Sequence, residues 1–209
     1  MKKVMLLACL LVGMTVQAQT NELPSNVIKL RGGLDFVTSK VYLEANRYQG
    51  TALKASSWRA GVGTFLQYEH FLKRGFGFGL DLYYHDTRYS QEGHQHERLT
   101  AALRSIYIGP SFAYSLCFKN HWRFDSSIGM GYGYVSGDLA DNSGLGIKLR
   151  AGIEYMVTPH FGVGVDLYEL YVFTKDDSLD DFKKMYPSES NIISGVSHLG
   201  LAAGMTFYF

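Results

Sequence analysis

The chain has 209 residues, a formal net charge of +1 at pH 7 and only two cysteines. This length is typical of one domain, and a near-neutral charge argues against non-specific binding to nucleic acid. The cysteines are too few for a disulfide framework or a cysteine-based zinc site.

The first residues predict export from the cytoplasm. Two lysines precede an apolar run over residues 4–16, and Val16 and Ala18 supply the small residues of a cleavage site, as in a secretory signal peptide. The run is too short for a transmembrane helix. We therefore predict a signal peptide over 1–18 and one domain over 19–209, in which 18 basic residues remain against 19 acidic ones.

Eight later segments alternate in the manner of β-strands. Apolar side chains recur at every second position, and glycine, serine and charged residues fill the positions between them. Pro110 lies inside the fourth segment and lacks a ladder donor, so a bulge or local bend is expected there. The segments span about 26–36, 58–70, 76–85, 103–116, 122–134, 147–155, 161–168 and 198–209.

The connections between these segments alternate in length. Short turns are predicted at 73–75, 119–121 and 158–160. Longer loops are predicted at about 38–57, 86–100, 136–144 and 173–194. Short turns at one end and long loops at the other are typical of a barrel that crosses the outer membrane.

The distribution of charge favours a barrel with its polar face inside. A soluble barrel of the lipocalin type would show the same alternation with the opposite face outward. Glycines crowd the charged face, the signs there are mixed so that buried charges can pair, and aromatic residues collect at strand ends on the apolar face. The predicted lumen charge network consists of Lys29, Arg31, Asp35, Arg59, Glu69, Asp81, Arg123, Asp125, Lys148, Arg150, Glu154 and Asp166. The predicted aromatic girdle consists of Trp58, Tyr68, Phe76, Tyr84, Trp122, Phe124, Tyr132, Tyr155, Phe161, Phe207 and Phe209.

The predicted fold class is all-β: an eight-stranded antiparallel up-and-down transmembrane β-barrel with short periplasmic turns and long extracellular loops. The chain resembles the OmpA transmembrane domain and the OmpX and OmpW-like barrels of Gram-negative outer membranes, a porin-related superfamily. The signal, the alternating segments, the stretch 107–110 (YIGP) and the final 207–209 (FYF) carry this resemblance.

The resemblance implies a location and partners. It implies an outer-membrane protein in contact with membrane lipids, including lipopolysaccharide. It also implies that Met205, Phe207 and Phe209 form the signal read by the barrel-assembly machinery. Because no residues follow the eighth segment, we expect no peptidoglycan-binding domain.

Two interpretations of the interior charges remain open. They form either a paired plug or a narrow pathway for ions and small solutes. The first favours a structural or adhesin-like protein that meets an extracellular ligand through its loops, where residues such as Tyr42, Tyr48, Tyr89 and Tyr186 are available.

Metal and calcium sites in the loops are weak alternatives. His94 and His96 could hold a metal but lack a fixed third ligand. The acidic stretch 176–181 lacks the spacing of a calcium loop, and a short helix from Ser178 to Lys184 is the preferred interpretation. No metal site and no cofactor is predicted.

An enzyme that modifies the acyl chains of lipid A is a second alternative. It would need a nucleophile or base beside a histidine. Ser197 precedes His198, and His85 precedes Asp86, but adjacent residues on a strand point to opposite faces and cannot form a dyad. No catalytic residue is predicted, and the chain is expected not to be an enzyme.

Overall fold

The computed structural model describes residues 24–38, 60–72, 75–92, 98–118, 121–137, 142–174 and 195–209. The strands are β1 (Asn26–Val37), β2 (Gly61–Phe71), β3 (Phe76–Glu92), β4 (Arg98–Phe118), β5 (Trp122–Gly137), β6 (Asn142–Thr158), β7 (Phe161–Phe173) and β8 (Gly195–Tyr208). Each strand pairs antiparallel with its neighbours in sequence, and β8 pairs with β1 to close the barrel. The predicted fold class is confirmed.

The alternation of side chains explains how this sheet suits a membrane. Outward-facing apolar side chains such as Leu34 and Met130 are 56% and 60% exposed, whereas Arg31, which points inward, is 2% exposed. A water-soluble barrel would show the reverse. Closure leaves the sheet without an edge, so its backbone groups are satisfied inside hydrocarbon. In the described parts of the chain, no helix is long and apolar enough to cross a membrane.

Three groups of side chains fill the interior. Near the short turns lies a small apolar group of Val27, Phe71, Ala113 and Tyr208. Toward the loop end lies a larger group, here called the apolar layer, of Val37, Phe65, Tyr83, Leu103, Tyr107, Val135, Tyr168, Leu170, Val172, Val196 and Ala202. Charged side chains from β1, β2, β3, β5, β6 and β7 occupy the space between them.

The predicted loop lengths need correction. β3 and β4 continue as a ladder to the pair Glu92 and Arg98, so their connection spans 93–97, and β5 and β6 are joined by 138–141. The predicted loops at 86–100 and 136–144 are therefore largely strand, and Tyr89 belongs to β3. The β3 extension has polar residues at both alternating positions, so it lacks the apolar alternation by which a strand is predicted from sequence.

Of the bulge or local bend predicted at Pro110, the bulge is wrong and the bend stays a prediction. β4 pairs with β5 from Ile108 to Tyr132 and again from Ser111 to Gly129, in the same register. The ladder skips the pairs at Gly109 and Pro110 and then resumes, because proline lacks only one donor. Between the paired strands described, the register shifts near residues 156–158 instead.

Candidate functional site in the barrel interior

Ten charged side chains form a buried, ion-paired group across the middle of the lumen. We call it the charge layer. Its members are 0–3% exposed. They are Lys29, Arg31, Glu69, Asp81, Arg123, Asp125, Lys148, Arg150, Glu154 and Asp166.

Arg150 on β6 is the hub of this layer. Its Nη2 lies 2.9 Å from Glu69 Oε1 on β2, and its Nη1 lies 2.6 Å from Asp166 Oδ1 on β7. It also contacts Asp125 on β5. One guanidinium thus joins four strands through its fixed fork of donors.

Two further cations extend the layer from β1. Lys29 Nζ lies 2.9 Å from Glu69 Oε2 and also contacts Asp125. Arg31 bonds Asp166 Oδ2 through Nε at 2.5 Å and Glu154 Oε1 through Nη2 at 2.7 Å. These contacts cross the lumen, which establishes that the side chains point inward.

The outer members of the layer are more loosely held. Arg123 lies 3.9 Å from Glu69 and 3.8 Å from Glu154, and its guanidinium also stacks over the Phe71 ring at 4.6 Å. Lys148 Nζ lies 3.4 Å from Asp81 Oδ2. The layer contains five cations and five carboxylates, each within 4.0 Å of an opposite charge.

A second polar group lies within the apolar layer toward the loop end. We call Asp35, His85 and His198 the histidine cluster; all three are fully buried. His85 Nδ1 lies 3.4 Å from Asp35 Oδ2, and His198 Nδ1 lies 3.7 Å from Asp35 Oδ1. The two imidazole rings are 4.3 Å apart between centroids.

Hydroxyl groups surround the histidine cluster. Tyr83 and Tyr168 both donate to Asp35 Oδ2, the latter at 2.8 Å. Ser105 Oγ lies 2.9 Å from His198 Nε2. Gly63 leaves room for this arrangement, because a Cβ there would lie 2.8 Å from Asp35 Oδ2 and would also collide with the Tyr168 hydroxyl.

In the structure, the serine and histidine considered for an enzyme, Ser197 and His198, contact other residues rather than each other. His198 bonds Ser105 across the barrel, while Ser197 contacts Thr38. Ser105, His198 and Asp35 follow one another as in a hydrolase triad, but all three are fully buried, so none presents surface to an acyl chain.

The girdle residues that the structure describes lie on the outer face. Tyr68, Phe76, Tyr84, Trp122, Tyr132, Tyr155, Phe207 and Phe209 are 38–58% exposed, while Phe124 and Phe161 are partly buried. Several pack in pairs near the turns, such as Trp122 with Tyr155 and Phe161 with Phe207. Met205 is likewise exposed.

Some predicted residues cannot be placed. Trp58, Arg59, Tyr42, Tyr48, Tyr186, His94, His96, the stretch 176–181, the helix 178–184 and the signal peptide lie outside the described residues. Their roles stay predictions.

The sequence alone did not reveal the histidine cluster. Alternation puts Asp35, His85, Ser105 and His198 on the inner face, but it does not show which inward side chains of different strands lie together. The cluster joins β1, β3, β4 and β8, and only strand register brings those positions together. Two inward histidines near the loop end were the available signal.

A closed, eight-stranded barrel with an apolar outer face and an ion-paired polar interior defines a transmembrane barrel of the bacterial outer membrane. The chain belongs to the outer membrane protein beta-barrel domain family, whose pattern matches residues 6–196. The protein is therefore an outer-membrane protein, as predicted.

Solved structures share the fold. Neisserial surface protein A superposes with a TM-score of 0.56 at 12% identity, over 88% of this chain and 97% of that one. The outer membrane protein OprG of Pseudomonas aeruginosa gives a TM-score of 0.51 at 12% identity, over 90% of this chain and 97% of that one. No curated protein sequence matches the chain.

Proposed function

We propose that this protein is a closed barrel with a structural or surface-interaction role, adhesin-like and without enzymatic activity. The observation that carries the proposal is the charge layer, in which five cations and five carboxylates pair with one another and lie 0–3% exposed. Charged side chains that pair with one another across the lumen occupy its cross-section and close it.

The apolar layer supports the same proposal. Tyr107, Leu170 and Val172 are fully buried and lie on the loop side of the charge layer. An ion that crossed the barrel would have to pass both layers and lose its water among apolar side chains, which is costly. An eight-stranded barrel is just wide enough for such side chains to fill it.

Planar-bilayer conductance of the refolded protein tests closure. We expect no steady single-channel events from the wild type or from a control, Arg104→Ala, whose target is 58% exposed outside the lumen. The comparison is the double variant Arg150→Ala, Glu154→Ala, which removes the hub and a carboxylate that pairs with Arg31 and Lys29. Steady wild-type events that this pair alters would establish the alternative function, a narrow channel for ions or small solutes.

With the lumen closed, specificity resides in the loops. Exchange of the connections 38–60 and 174–194 for glycine-serine linkers of equal length should abolish adherence to extracellular ligands or host cells. Neutralising Lys148 and Asp81 together should leave adherence intact. Adherence that survives the loop exchange would contradict the surface role.

The partners during and after assembly follow from the outer face. We expect the barrel-assembly machinery to read Met205, Phe207 and Phe209, which are 44–58% exposed on that face, and lipopolysaccharide to surround the outer leaflet half. Removal of Phe209 should lower the folded fraction in the outer membrane, measured by heat-modifiable migration on a gel.

A lipid A acyl-modifying enzyme remains the second alternative. Mass spectra of lipid A from cells with and without the protein should be identical. A change in acyl chains that disappears in Ser105→Ala would contradict the proposal and would assign catalysis to the buried Ser105–His198 pair.

A further inference from the structure

The histidine cluster contains several polar atoms without hydrogen-bond partners. Among the described residues, Asp35 Oδ1, His198 Nδ1 and both nitrogens of His85 have none. Buried polar atoms are ordinarily satisfied. Other buried polar atoms also lack a hydrogen-bond partner, such as Asp81 Oδ2 and Lys148 Nζ, but these two are opposite charges 3.4 Å apart. In the histidine cluster, one ligand atom from each of the three residues lies within 4.8 Å of the others.

The charge of the cluster points to a cation. Each carboxylate of the charge layer lies near a lysine or arginine, whereas the basic side chains found within 4.0 Å of Asp35 in the described ranges are the two histidines. A buried carboxylate is stable only when it is paired. The cluster therefore suits a partner that is positive and accepts electron pairs from nitrogen.

The surrounding hydroxyls orient the three side chains for such a partner. Tyr83 and Tyr168 occupy Oδ2 of Asp35 and leave Oδ1 without a donor. Ser105 Oγ lies 2.9 Å from His198 Nε2 and can accept from Nε2–H, the tautomer in which Nδ1, the nitrogen facing Asp35, carries the lone pair. Hydrogen bonds of this kind set the tautomer and the angle of histidine ligands.

We propose that Asp35, His85 and His198 bind one divalent transition-metal ion, zinc or a close relative, inside the barrel. Two imidazoles and one carboxylate suit zinc, iron, cobalt, nickel or copper, whereas calcium and magnesium require oxygen ligands. Ligand atoms around tetrahedral zinc lie about 3.4 Å apart. His198 Nδ1 lies 3.7 Å from Asp35 Oδ1, close to this value, and His85 Nδ1 lies 3.4 Å from the other carboxylate oxygen, Oδ2.

Cobalt titration of the chelator-treated, tag-free protein tests the proposal. Co²⁺ bound by imidazole and carboxylate in a tetrahedral site gives visible absorption, and zinc added afterwards displaces it. We expect one ion per chain in the wild type and no visible absorption in His85→Asn or His198→Asn. Ser105→Ala should keep the stoichiometry but bind about 10–100-fold more weakly, because it removes an orienting contact rather than a ligand.

Two control variants separate the lumen from the surface. His121→Asn removes an exposed histidine near a periplasmic turn, and the double variant His94→Asn, His96→Asn removes the histidines at the loop end. Both should bind cobalt like the wild type. Loss of binding in the loop variant with retention in His85→Asn would place the metal on the loop and overturn the proposal.

X-ray absorption spectroscopy of the zinc-loaded wild type tests the ligand set without requiring any variant to fold. The spectrum should require two imidazole ligands and oxygen scatterers, in the wild type and equally in the loop variant. A spectrum with fewer than two imidazoles overturns the proposal. So does a wild type that takes up no cobalt or zinc when it is refolded in their presence.

Discussion

The charge layer and the histidine cluster share one lumen but balance their charges in opposite ways. The charge layer has equal numbers of cations and carboxylates, each within 4.0 Å of at least one opposite charge. The histidine cluster has one carboxylate held by two tyrosines and two histidines. Because the charges of the charge layer neutralise one another, that layer requires no bound ion, whereas the histidine cluster has ligand atoms available for a metal ion.

The side chains around the charge layer and around the histidine cluster also differ. The charge layer spans the lumen, and most of its contacts are to other charges or to hydroxyls such as Thr206 Oγ1, 2.8 Å from Arg31 Nη2. The histidine cluster is embedded among apolar side chains, including Phe65, Leu170 and Val172. A polar group placed among apolar neighbours has few alternative partners, so its geometry is confined.

The largest difference should appear when the hub of the charge layer is removed. Arg150→Ala leaves Glu69, Asp125 and Asp166 with less compensation in a buried site, and we expect a loss of about 3–5 kcal/mol in the free energy of unfolding. Reversible urea unfolding in phospholipid vesicles measures it.

Arg104→Ala is the matched control for that experiment. Arg104 pairs with Asp86 at 3.8 Å, but the two side chains are 58% and 37% exposed. A surface pair of this kind is worth about 0–1 kcal/mol. Equal losses in the two variants would mean that the charge layer does not hold the barrel together.

Truncation of the apolar layer should cost nearly as much. Leu170→Ala opens a cavity in a lumen where Leu170 is fully buried, and such changes cost about 2–5 kcal/mol. Leu167→Ala removes the same atoms from the outer face of β7, where the side chain is 54% exposed. Lipid can fill that space, so no cavity term arises there. A loss at Leu167 equal to that at Leu170 would show that the apolar layer is not tightly packed.

The sequence was sufficient for the parts of this architecture that depend on period alone. Alternation with a period of two identified all eight strands and put Arg31, Arg150 and Glu154 on the inner face. It failed where a strand is polar on both faces, as in the β3 extension. It also overestimated the effect of Pro110 on strand pairing, because one missing donor does not force a change of register.

Contacts inside the lumen could not be predicted from the sequence in the same way. Ser105 and His198 are 93 positions apart, and their meeting depends on the register of strands that are not neighbours. In register, Asp35 lies opposite Gly61 and Gly200, two glycines that leave space for larger side chains. Period fixes which face a residue occupies, and register with barrel closure fixes what it touches.

The smallest expected change in the free energy of unfolding is that of Asp35→Asn, and it distinguishes the histidine cluster from the charge layer most directly. In chelator-treated protein, Asp35→Asn should change the free energy of unfolding by no more than about 1 kcal/mol. The substitution weakens two charge-assisted hydrogen bonds, but the amide oxygen can still accept both tyrosine hydroxyls, and the cost of burying a carboxylate disappears. Asp166→Asn, which deprives Arg31 and Arg150 of a shared partner, should cost about 3 kcal/mol or more.

Zinc should then bring the free energies of unfolding of the two variants closer together. An ion that binds only the folded protein adds about 2.7 kcal/mol of stability at a concentration 100 times its dissociation constant. Wild type and Asp166→Asn should both gain this increment, and Asp35→Asn should gain none of it. If Asp35→Asn instead costs as much as Asp166→Asn without metal, the Asp35 charge is already matched in the folded barrel, and the contrast between the two groups fails.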